Sequence, residues 1–400
     1  YGTLGNQILT TSGGSQIYYP YISTLGSGTS PYMMSSAGRI PIVTAAGLVS
    51  PTLTWESVVS KNFGIDFTIL NQRLDGSFDI YTRDTKDMLT DVEYPAILGT
   101  AAPKANSADL RTSGWETSLT WRDRIGSDWS YRVTLALSDW TAEITKYDNP
   151  TGALSEYYVG QKIGEIWGYE TVGIFQTDEE VASSADQSRI GANWRAGDIH
   201  YADLNGDGII SPGNNTLSDP GDRKIIGNES PRLNFGINLD LTYKNWSLRS
   251  FFQGVGKRDY WPSSGNWTWF FPFNAGHVEW YFVTDTWTEE NRDAYFPAAH
   301  ISTNDKKNLQ VQSRYLQQAS YIRLKNLTLA YDFSPNMLRK TGIGGVQIYM
   351  TGMNLWEYSK IRKPLDPEQT HTNVLSGENF NGAVEYPIQR IFSVGASVSF

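Results

Sequence analysis

The feature that most constrains the fold is an alternation of apolar and polar residues with a period of two. Successive side chains of a β-strand point to opposite faces, so this period predicts strands with one oily and one wet face. It is clearest between Pro231 and Tyr243. There the apolar residues are Leu233, Phe235, Ile237, Leu239 and Leu241, and the intervening residues are Asn234, Gly236, Asn238, Asp240 and Thr242.

The same alternation recurs along the chain and predicts about ten strands. The last of them ends on Phe400, with Ile388, Phe392, Val394, Ala396 and Val398 on the same face. Other segments are Phe63 to Ile69, Leu74 to Tyr81, Trp115 to Arg122, Trp129 to Ser138, Trp246 to Gln253 and Val346 to Met350. Between Tyr321 and Phe333 the phase slips, which predicts a β-bulge near Lys325 and Asn326.

A soluble β-sandwich alternates in the same way, but the lengths of the connections favour a membrane barrel. Tight turns at Asn71 to Asp75, Asp123 to Asp128 and Lys244-Asn245 alternate with long excursions. The excursions are Thr10 to Thr54, Asp87 to Thr112, Glu143 to Ser230, Lys257 to Ser313 and Ser359 to Tyr386. Outer-membrane barrels have short periplasmic turns and long external loops. The sequence therefore predicts an all-β, antiparallel, up-and-down transmembrane barrel.

Ten strands with such long loops suit only part of a barrel. A sheet edge left open in the hydrocarbon layer leaves backbone groups without partners, and plugged transporters use about 22 strands. We therefore expect residues 1–400 to be the C-terminal portion of a wide barrel, with the plug domain and the N-terminal strands outside this sequence.

Composition agrees with this prediction and excludes other classes. The chain has 14 Trp and 23 Tyr, residues that form the aromatic girdles of membrane barrels, although carbohydrate-binding β-proteins are also rich in them. The net charge of −9 argues against nucleic acid as a partner. The chain has no Cys, which excludes thiolate metal sites and cysteine nucleophiles. No apolar run reaches the roughly 18 residues of a spanning helix.

Several segments, in this order, resemble the SusC/RagA family of TonB-dependent outer-membrane transporters, known from Bacteroidetes. They are YGTLGNQ, LTWESVVSKNFGIDF, GSFDIYTRDTKDML, GWETSLTW, GDIHYADLNGDGIISP, DRKIIGNESPRLNFGINL, SFFQGVGKRDY, ASYIRLKNLTLAYDF and YPIQRIFSVGASVSF. The resemblance implies import of glycan oligosaccharides, or of peptides in some members, across a Gram-negative outer membrane. It also implies a SusD-like surface lipoprotein as partner, and TonB acting through the plug.

A possible calcium loop lies in the third long excursion. Asp203, Asn205, Asp207 and the carbonyl of Ile209 match the first half of an EF-hand loop, in which hard oxygens converge on Ca²⁺. At the twelfth loop position Asn214 replaces the expected Glu, so Asp222, Asp219 or Asp198 would have to supply the last carboxylate. Asx-turns explain the same motif without a metal. The predicted role of Ca²⁺ is structural.

Candidate contacts to substrate or partner are aromatic residues of the fourth excursion, because aromatic rings stack on sugars and dominate protein interfaces. They are Trp261, Trp267, Trp269, Trp280 and Trp287, and packing within the loop is the alternative explanation. On the wet face, polar residues would line the substrate path or hold the plug. They include Asp66, Glu116, Arg132, Asp240 and Arg249.

No catalytic constellation is recognisable, so we do not predict an enzyme. Two alternatives stay open. A soluble glycan-binding or glycan-degrading β-protein would bury its oily faces between sheets and use two carboxylates as acid and base. A complete small barrel acting as a protease would need an Asp/His pair at its outer rim, with His277 and His300 as candidates.

Overall fold

The structure is a computed structural model. It describes residues 1–6, 22–23, 25–30, 39–44, 48–50, 53–91, 104–262, 280–299, 307–334, 338, 342–363, 365–370 and 388–400.

Within these residues the dominant element is one ten-stranded antiparallel sheet. Its order is β1-β4-β5-β6-β7-β12-β13-β16-β17-β18, so each strand pairs with the next sheet strand along the chain. The bounds are β1 Gly2–Asn6, β4 Glu56–Ile69, β5 Leu74–Asp91, β6 Lys104–Ile125, β7 Trp129–Lys146, β12 Arg232–Tyr243, β13 Trp246–Lys257, β16 Tyr321–Asp332, β17 Gly345–Ser359 and β18 Ile391–Ser399. This meander confirms the predicted up-and-down topology, and the sheet fits a partial barrel.

Most strands are longer than the alternation predicts. β5 continues to Asp91 and β6 begins at Lys104, so most of the predicted excursion from Asp87 to Thr112 is a long hairpin. The oily face ends before the strands do, because only the part of a strand that lies in hydrocarbon needs apolar side chains. The hairpin also contains register shifts near Met88, where Asp87 has a φ of 57°. Alternation therefore marks the apolar belt of each strand and not its full length.

Strand register keeps apolar side chains on one face of the sheet. Ile237 lies between Leu135 of β7 and Phe252 of β13, whereas the next residue, Asn238, lies between Thr134 and Phe251. Large apolar side chains on the first face are exposed: Phe63 is 63% accessible and Val394 is 75% accessible. A soluble sandwich would cover this face with a second sheet, and the described part of the chain contains no such layer over it. We call the two faces of the sheet the apolar face and the polar face.

The β-bulge predicted near Lys325 and Asn326 is confirmed. Phe251 pairs with Asn326 and Phe252 pairs with Leu324, so Lys325 is the extra residue. On the other side of β16 the register also shifts between Leu324 and Asn326. One inserted residue therefore returns Ile322 and Leu324 to the same face as Leu327 and Leu329.

The buried core of the described chain lies in the long connections and not in the sheet. Residues 147–230, 258–262, 280–299, 307–320, 360–363 and 365–370 form what we call the outer loop unit. Its strands are β8 Glu165–Tyr169, β9 Thr171–Ile174, β10 Ile199–Tyr201, β11 Arg223–Asn228, β14 Asp259–Tyr260 and β15 Gln317–Gln318. They pair as β8 with β11, β9 with β10 and β14 with β15, and β2 (Gly26–Thr29) pairs with β3 (Pro41–Thr44) elsewhere.

Two short helices and a 3₁₀ turn complete the outer loop unit. Helix α1 spans Asp178–Ser183, and the Thr177 hydroxyl accepts the N–H of Glu180 as its N-cap. Helix α2 spans Trp280–Asp285, and the 3₁₀ turn spans Lys307–Leu309. In the described residues, no helix is long and apolar enough to cross a membrane. The core of the unit is aromatic, with Tyr201, Tyr315, Phe175 and Phe282 almost fully buried.

Candidate functional site

The polar face of the sheet carries two zones of opposite charge. The first is acidic. Asp79 of β5 lies directly opposite Glu116 of β6, and the Asp79 carboxylate covers Gly64 of β4, where a Cβ would come within 2.3 Å of its oxygen. On the same face of β4, Asp66 lies two residues after Gly64 and pairs with Ser77 of β5. Like charges in register destabilise a sheet, and in the described chain none of these three carboxylates has a hydrogen-bond or ion-pair partner.

The second zone is basic and lies near the tight turns. Arg122 of β6 is directly opposite Arg132 of β7. With Arg73, Arg124 and Arg249 they line an open cavity of about 1130 Å³. Along β6, Glu116 and Arg122 are six residues apart, which separates the two zones by about 20 Å.

Only some of these arginines are paired. Arg73 lies 3.2 Å from Asp123, and Arg122 pairs with Asp75. Arg249 lies 3.7 Å from Asp240. Within the described residues, the guanidinium groups of Arg124 and Arg132 have no carboxylate partner. The basic zone therefore retains positive charge that an anionic group could neutralise.

Aromatic residues mark one edge of the apolar face, beside the tight turns. The rings of Trp129 and Tyr243 are 4.3 Å apart, and those of Trp246 and Tyr331 are 4.8 Å apart. Lys244, in the turn between β12 and β13, lies over the ring of Tyr243. Such a belt is typical of the level at which a barrel meets lipid headgroups.

The outer loop unit is held together by a buried ion pair. Lys307 lies 2.8 Å from Asp198, and their side chains are 1% and 0% exposed. The Lys307 ammonium also donates to the carbonyls of Ala192 and Asn193. Asp198 accepts the side-chain N–H of Asn308, whose own oxygen accepts the backbone N–H of Ile199. The pair therefore ties the β7–β12 connection to the β13–β16 connection.

A second ionic cluster joins the outer loop unit to the sheet. Arg323 of β16 is 3% exposed, pairs with Glu357 of β17, and lies 2.7 Å from Asp366 and 3.0 Å from Glu368. Lys325, the bulge residue, lies 2.8 Å from Glu368. Three carboxylates thus surround two cations where residues 365–370 cover the end of the strands.

The chain is similar to TonB-dependent receptors. TonB-dependent receptor P3 of Formosa agariphila is 27% identical over an alignment that covers 100% of this chain and 39% of that protein. TonB-dependent receptor SusC of Bacteroides thetaiotaomicron is 28% identical, covering 87% of this chain and 32% of that protein. No family model matches the chain. In the solved RagAB peptide transporter the same fold covers 100% of this chain, with a TM-score of 0.69 and 22% identity.

The chain is thus similar to TonB-dependent receptors of the SusC and RagA type. It matches their C-terminal portion and spans between about a third and two fifths of the length of the curated relatives.

The predicted aromatic contacts that the structure describes have different surroundings. Trp287 is 8% exposed and belongs to the core of the outer loop unit, where it covers Gly197. Trp261 packs against the same core. Trp280, at the start of α2, is 77% exposed. Trp267 and Trp269 lie outside the described residues. Packing accounts for Trp287 and Trp261, and contact with a substrate or partner stays a prediction, carried best by Trp280.

The predicted polar-face residues all lie on that face. Arg132, Asp240 and Arg249 occupy one row across β7, β12 and β13, whereas Asp66 and Glu116 belong to the acidic zone. The sequence did not single out Asp79, Arg122 or Arg124. Their parity along the strands assigns them to the polar face, but only the register shows that Asp79 meets Glu116 and that Arg122 meets Arg132.

The predicted calcium loop closes on itself through hydrogen bonds. Asp203 accepts the N–H groups of Gly206 and Gly208, and these bonds lower the pKa of Asp203. Asn205 accepts the N–H of Asp207, and Asp207 accepts the N–H of Ile209. Each of these side-chain oxygens uses one lone pair, so further acceptor capacity remains.

Of the three carboxylates considered for the last ligand, the structure brings Asp222 to this loop. Asp222 is fully buried and accepts the N–H groups of Leu204 and Ser211. Asp219 binds Asn214 instead, and Asp198 pairs with Lys307. No group of three His, Cys, Asp or Glu side chains in the described chain is arranged to hold a metal. The remaining ligands would have to be Asn205 and the Ile209 carbonyl, so calcium binding stays a prediction.

The similar proteins are named as TonB-dependent receptors and as a peptide transporter. Of the histidines, His200 lies in the outer loop unit, stacks on Phe175 at 4.4 Å, and has its pKa lowered by burial. His277, His300 and His371 lie outside the described residues. The structure therefore does not test the protease alternative, which needs His277 and His300.

Proposed function

We propose that the full-length protein imports an oligomeric nutrient across the outer membrane of a Gram-negative bacterium, with energy from TonB. The observation that carries this proposal is the ten-stranded sheet, whose apolar face is exposed and whose other face is polar and charged. An exposed oily belt needs lipid, and a wet inner wall suits passage of a polar solute. The similarity to TonB-dependent receptors supports the same reading.

An oligosaccharide is the leading substrate class, and a peptide is the alternative. Aromatic side chains in the long connections, with Trp280 exposed among them, support an oligosaccharide. The two charged zones of the polar face support a solute with charges of both signs, as in a peptide. The RagAB peptide transporter has the same fold.

The proposed partners follow from the family. A SusD-like surface lipoprotein would contact the outer loop unit, and TonB would act on a plug domain. The acidic and basic zones are the parts of the wall that would face either the plug or the passing substrate. We also propose a structural Ca²⁺ in the loop from Asp203 to Ile209, with Asp222 as the additional carboxylate.

Uptake by cells tests the function directly. The gene is deleted in its host, and growth is measured on a panel of oligosaccharides and peptides as sole carbon sources. We expect loss of growth on one substrate class, restoration by the full-length gene, and no restoration in cells without TonB. Unchanged growth on every substrate, together with unchanged uptake of labelled oligomers, would contradict the proposal.

Fractionation separates the transporter from a soluble glycan-binding or glycan-degrading protein. The transporter is expected in the outer membrane, with migration on a denaturing gel that changes on heating. Release of the full-length protein into buffer without detergent would favour the soluble alternative.

A further inference from the structure

A small cavity in the outer loop unit is lined by five separate segments of the chain. Its volume is about 210 Å³. β8 contributes Trp167, Gly168 and Tyr169, and the adjacent segment contributes Gln310 and Val311. Arg189, Ile190, Pro212 and Arg223 complete the lining. At about 30 Å³ per water, this volume equals roughly seven water molecules, which is room for one compact ring and not for a folded chain.

The floor of the cavity is held rigidly. The backbone of Tyr169 exchanges two hydrogen bonds with the facing segment, to the carbonyl of Val311 and from the N–H of Ser313. Gly168 permits this close approach, because a Cβ there would lie 2.6 Å from the Val311 carbonyl oxygen. The cavity therefore exists only because β8 and residues 311–313 lie against each other.

Two of the lining side chains are fixed by their own partners. The Trp167 indole donates to the hydroxyl of Tyr158, which in turn donates to the carboxylate of Glu165 at 2.6 Å. Arg223 donates to the carbonyls of Pro220 and Pro212 and to the side chain of Asn215. One aromatic ring and one guanidinium are thus held in place before any ligand arrives, which lowers the entropic cost of binding.

The charge of the cavity is opposite to that of the chain. The net charge of the chain is −9, yet the lining contains Arg189 and Arg223 and no Asp or Glu. Arg189 is exposed and lies within 4 Å of no carboxylate of the described chain, while its charge contributes, after the hydrogen bonds from Ser188, to the lowered pKa of Asp186. Guanidinium groups match the planar geometry of a carboxylate and bind it through two parallel hydrogen bonds.

We propose that this cavity binds one carboxylate-bearing sugar unit, a uronate, with its ring against Trp167 and its carboxylate between Arg189 and Arg223. The choice of a sugar over another carboxylate rests on the proposed function, while the anion site itself does not. Trp167 supplies an apolar surface for the ring, and the two arginines select the anion. A neutral sugar would offer no carboxylate to either arginine.

Binding to the purified full-length protein in detergent tests the site independently of transport. The probes are a glucuronic acid oligomer, a glucose oligomer of equal length and an oligoglutamate, each titrated calorimetrically. We expect the glucuronic acid oligomer to bind at least tenfold more tightly than the glucose oligomer, with affinity that falls as salt rises. Equal affinity for the glucuronic acid and glucose oligomers, or no binding of either, would overturn the proposal.

Variants assign the binding to this cavity. Arg189→Gln is expected to weaken binding of the glucuronic acid oligomer at least tenfold, and Trp167→Phe to weaken it less. Arg292→Gln is the matched control, because Arg292 is an exposed arginine of the same unit outside the cavity. Unchanged binding in both cavity variants would overturn the site, as would tighter Arg189-dependent binding of oligoglutamate. Failure of uptake with intact uronate binding would contradict only the proposed transport.

Discussion

At the scale of single residues, the strongest constraint on the outer loop unit is the ion pair between Lys307 and Asp198. Both side chains are buried, and between them they contact the carbonyls of Ala192 and Asn193 and the side chain of Asn308. Removing one member of a buried pair leaves an uncompensated charge and costs about 3–5 kcal/mol. We therefore predict that Lys307→Met opens the outer loop unit.

The measurement is the rate of native-state cleavage by proteinase K in isolated outer membranes. A factor of ten corresponds to about 1.4 kcal/mol, so cleavage should accelerate roughly 100-fold or more in Lys307→Met. Lys224→Met is the control, because Lys224 and Glu170 form an exposed pair of the kind that contributes about 0–1 kcal/mol. The double variant Lys307→Met with Asp198→Asn should recover part of the protection. Equal cleavage of Lys307→Met and Lys224→Met would show that the pair does not hold the connections together.

The calcium loop gives a second prediction at this scale. If Ca²⁺ braces the segment, cleavage in the outer loop unit should slow when the ion is added and accelerate in chelator. Asp207→Asn should abolish this difference, because it removes one ligand charge while keeping the oxygen that accepts the N–H of Ile209. Asp219→Asn is the matched control, since Asp219 binds Asn214 and not the segment from Asp203 to Ile209. Identical cleavage of the wild type in calcium and in chelator would exclude a bracing role.

The sequence predicts some of these residue-level features and not others. The alternation assigned Asp66, Glu116 and Asp240 to the wet face, because parity along one strand suffices for that. It did not predict the Lys307–Asp198 pair, because the two residues are more than a hundred positions apart in irregular connections. Trp287 was predicted as a contact and lies in the core, because composition does not distinguish a packed ring from an exposed one.

At the scale of elements, the bulge at Lys325 implies that deleting this residue has a different effect from deleting a regularly paired residue of the same strand. Lys325 has no partner position on β13, so deleting it restores regular pairing with that strand, while Asn354 and Leu355 of β17 keep their bulge. Deleting Thr328, which pairs with Arg249 and Thr351, moves every residue on one side of it to the opposite face. We predict that the protein without Lys325 still assembles and that the protein without Thr328 does not.

The test is the heat-modifiable fraction of each deletion variant in outer membranes. Deletion of Lys325 also removes its contact with Glu368 in the ionic cluster at the strand ends. Failure of both variants to assemble would mean that the bulge itself is required, whereas assembly of both would mean that register does not matter here.

The strands themselves were largely predictable, and the outer loop unit was not. A repeating two-residue pattern reports which face meets lipid, and it identified the sheet strands within the belt. It missed the ends, such as the extension of β5 to Asp91, because a strand beyond the hydrocarbon layer has no reason to alternate. The small sheets of β8 with β11 and β9 with β10 are three to six residues long, too short to carry a period.

At the scale of the whole molecule, the described sheet is one wall whose two faces suit different surroundings, lipid on one side and water on the other. Its apolar face carries exposed side chains such as Phe63 and Val394, and its polar face carries the acidic and basic zones. The outer loop unit has the only large buried core of the described chain. This division matches a barrel that is stabilised by strand pairing within lipid and by ordinary packing outside it.

The central claim is that the apolar face contacts lipid and the polar face contacts water. The chain has no Cys, so single cysteines can be placed in the full-length protein without background from this part. We propose labelling in intact outer membranes with a charged maleimide and, separately, with a membrane-partitioning one. The positions are five consecutive residues of β12: Ile237, Asn238, Leu239, Asp240 and Leu241.

We expect strict alternation. On the polar face, Cys at 238 and 240 reacts with the charged reagent. On the apolar face, Cys at 237, 239 and 241 reacts only with the membrane-partitioning reagent. Reaction of all five positions with the charged reagent, or no alternation between neighbours, would contradict a lipid-facing wall.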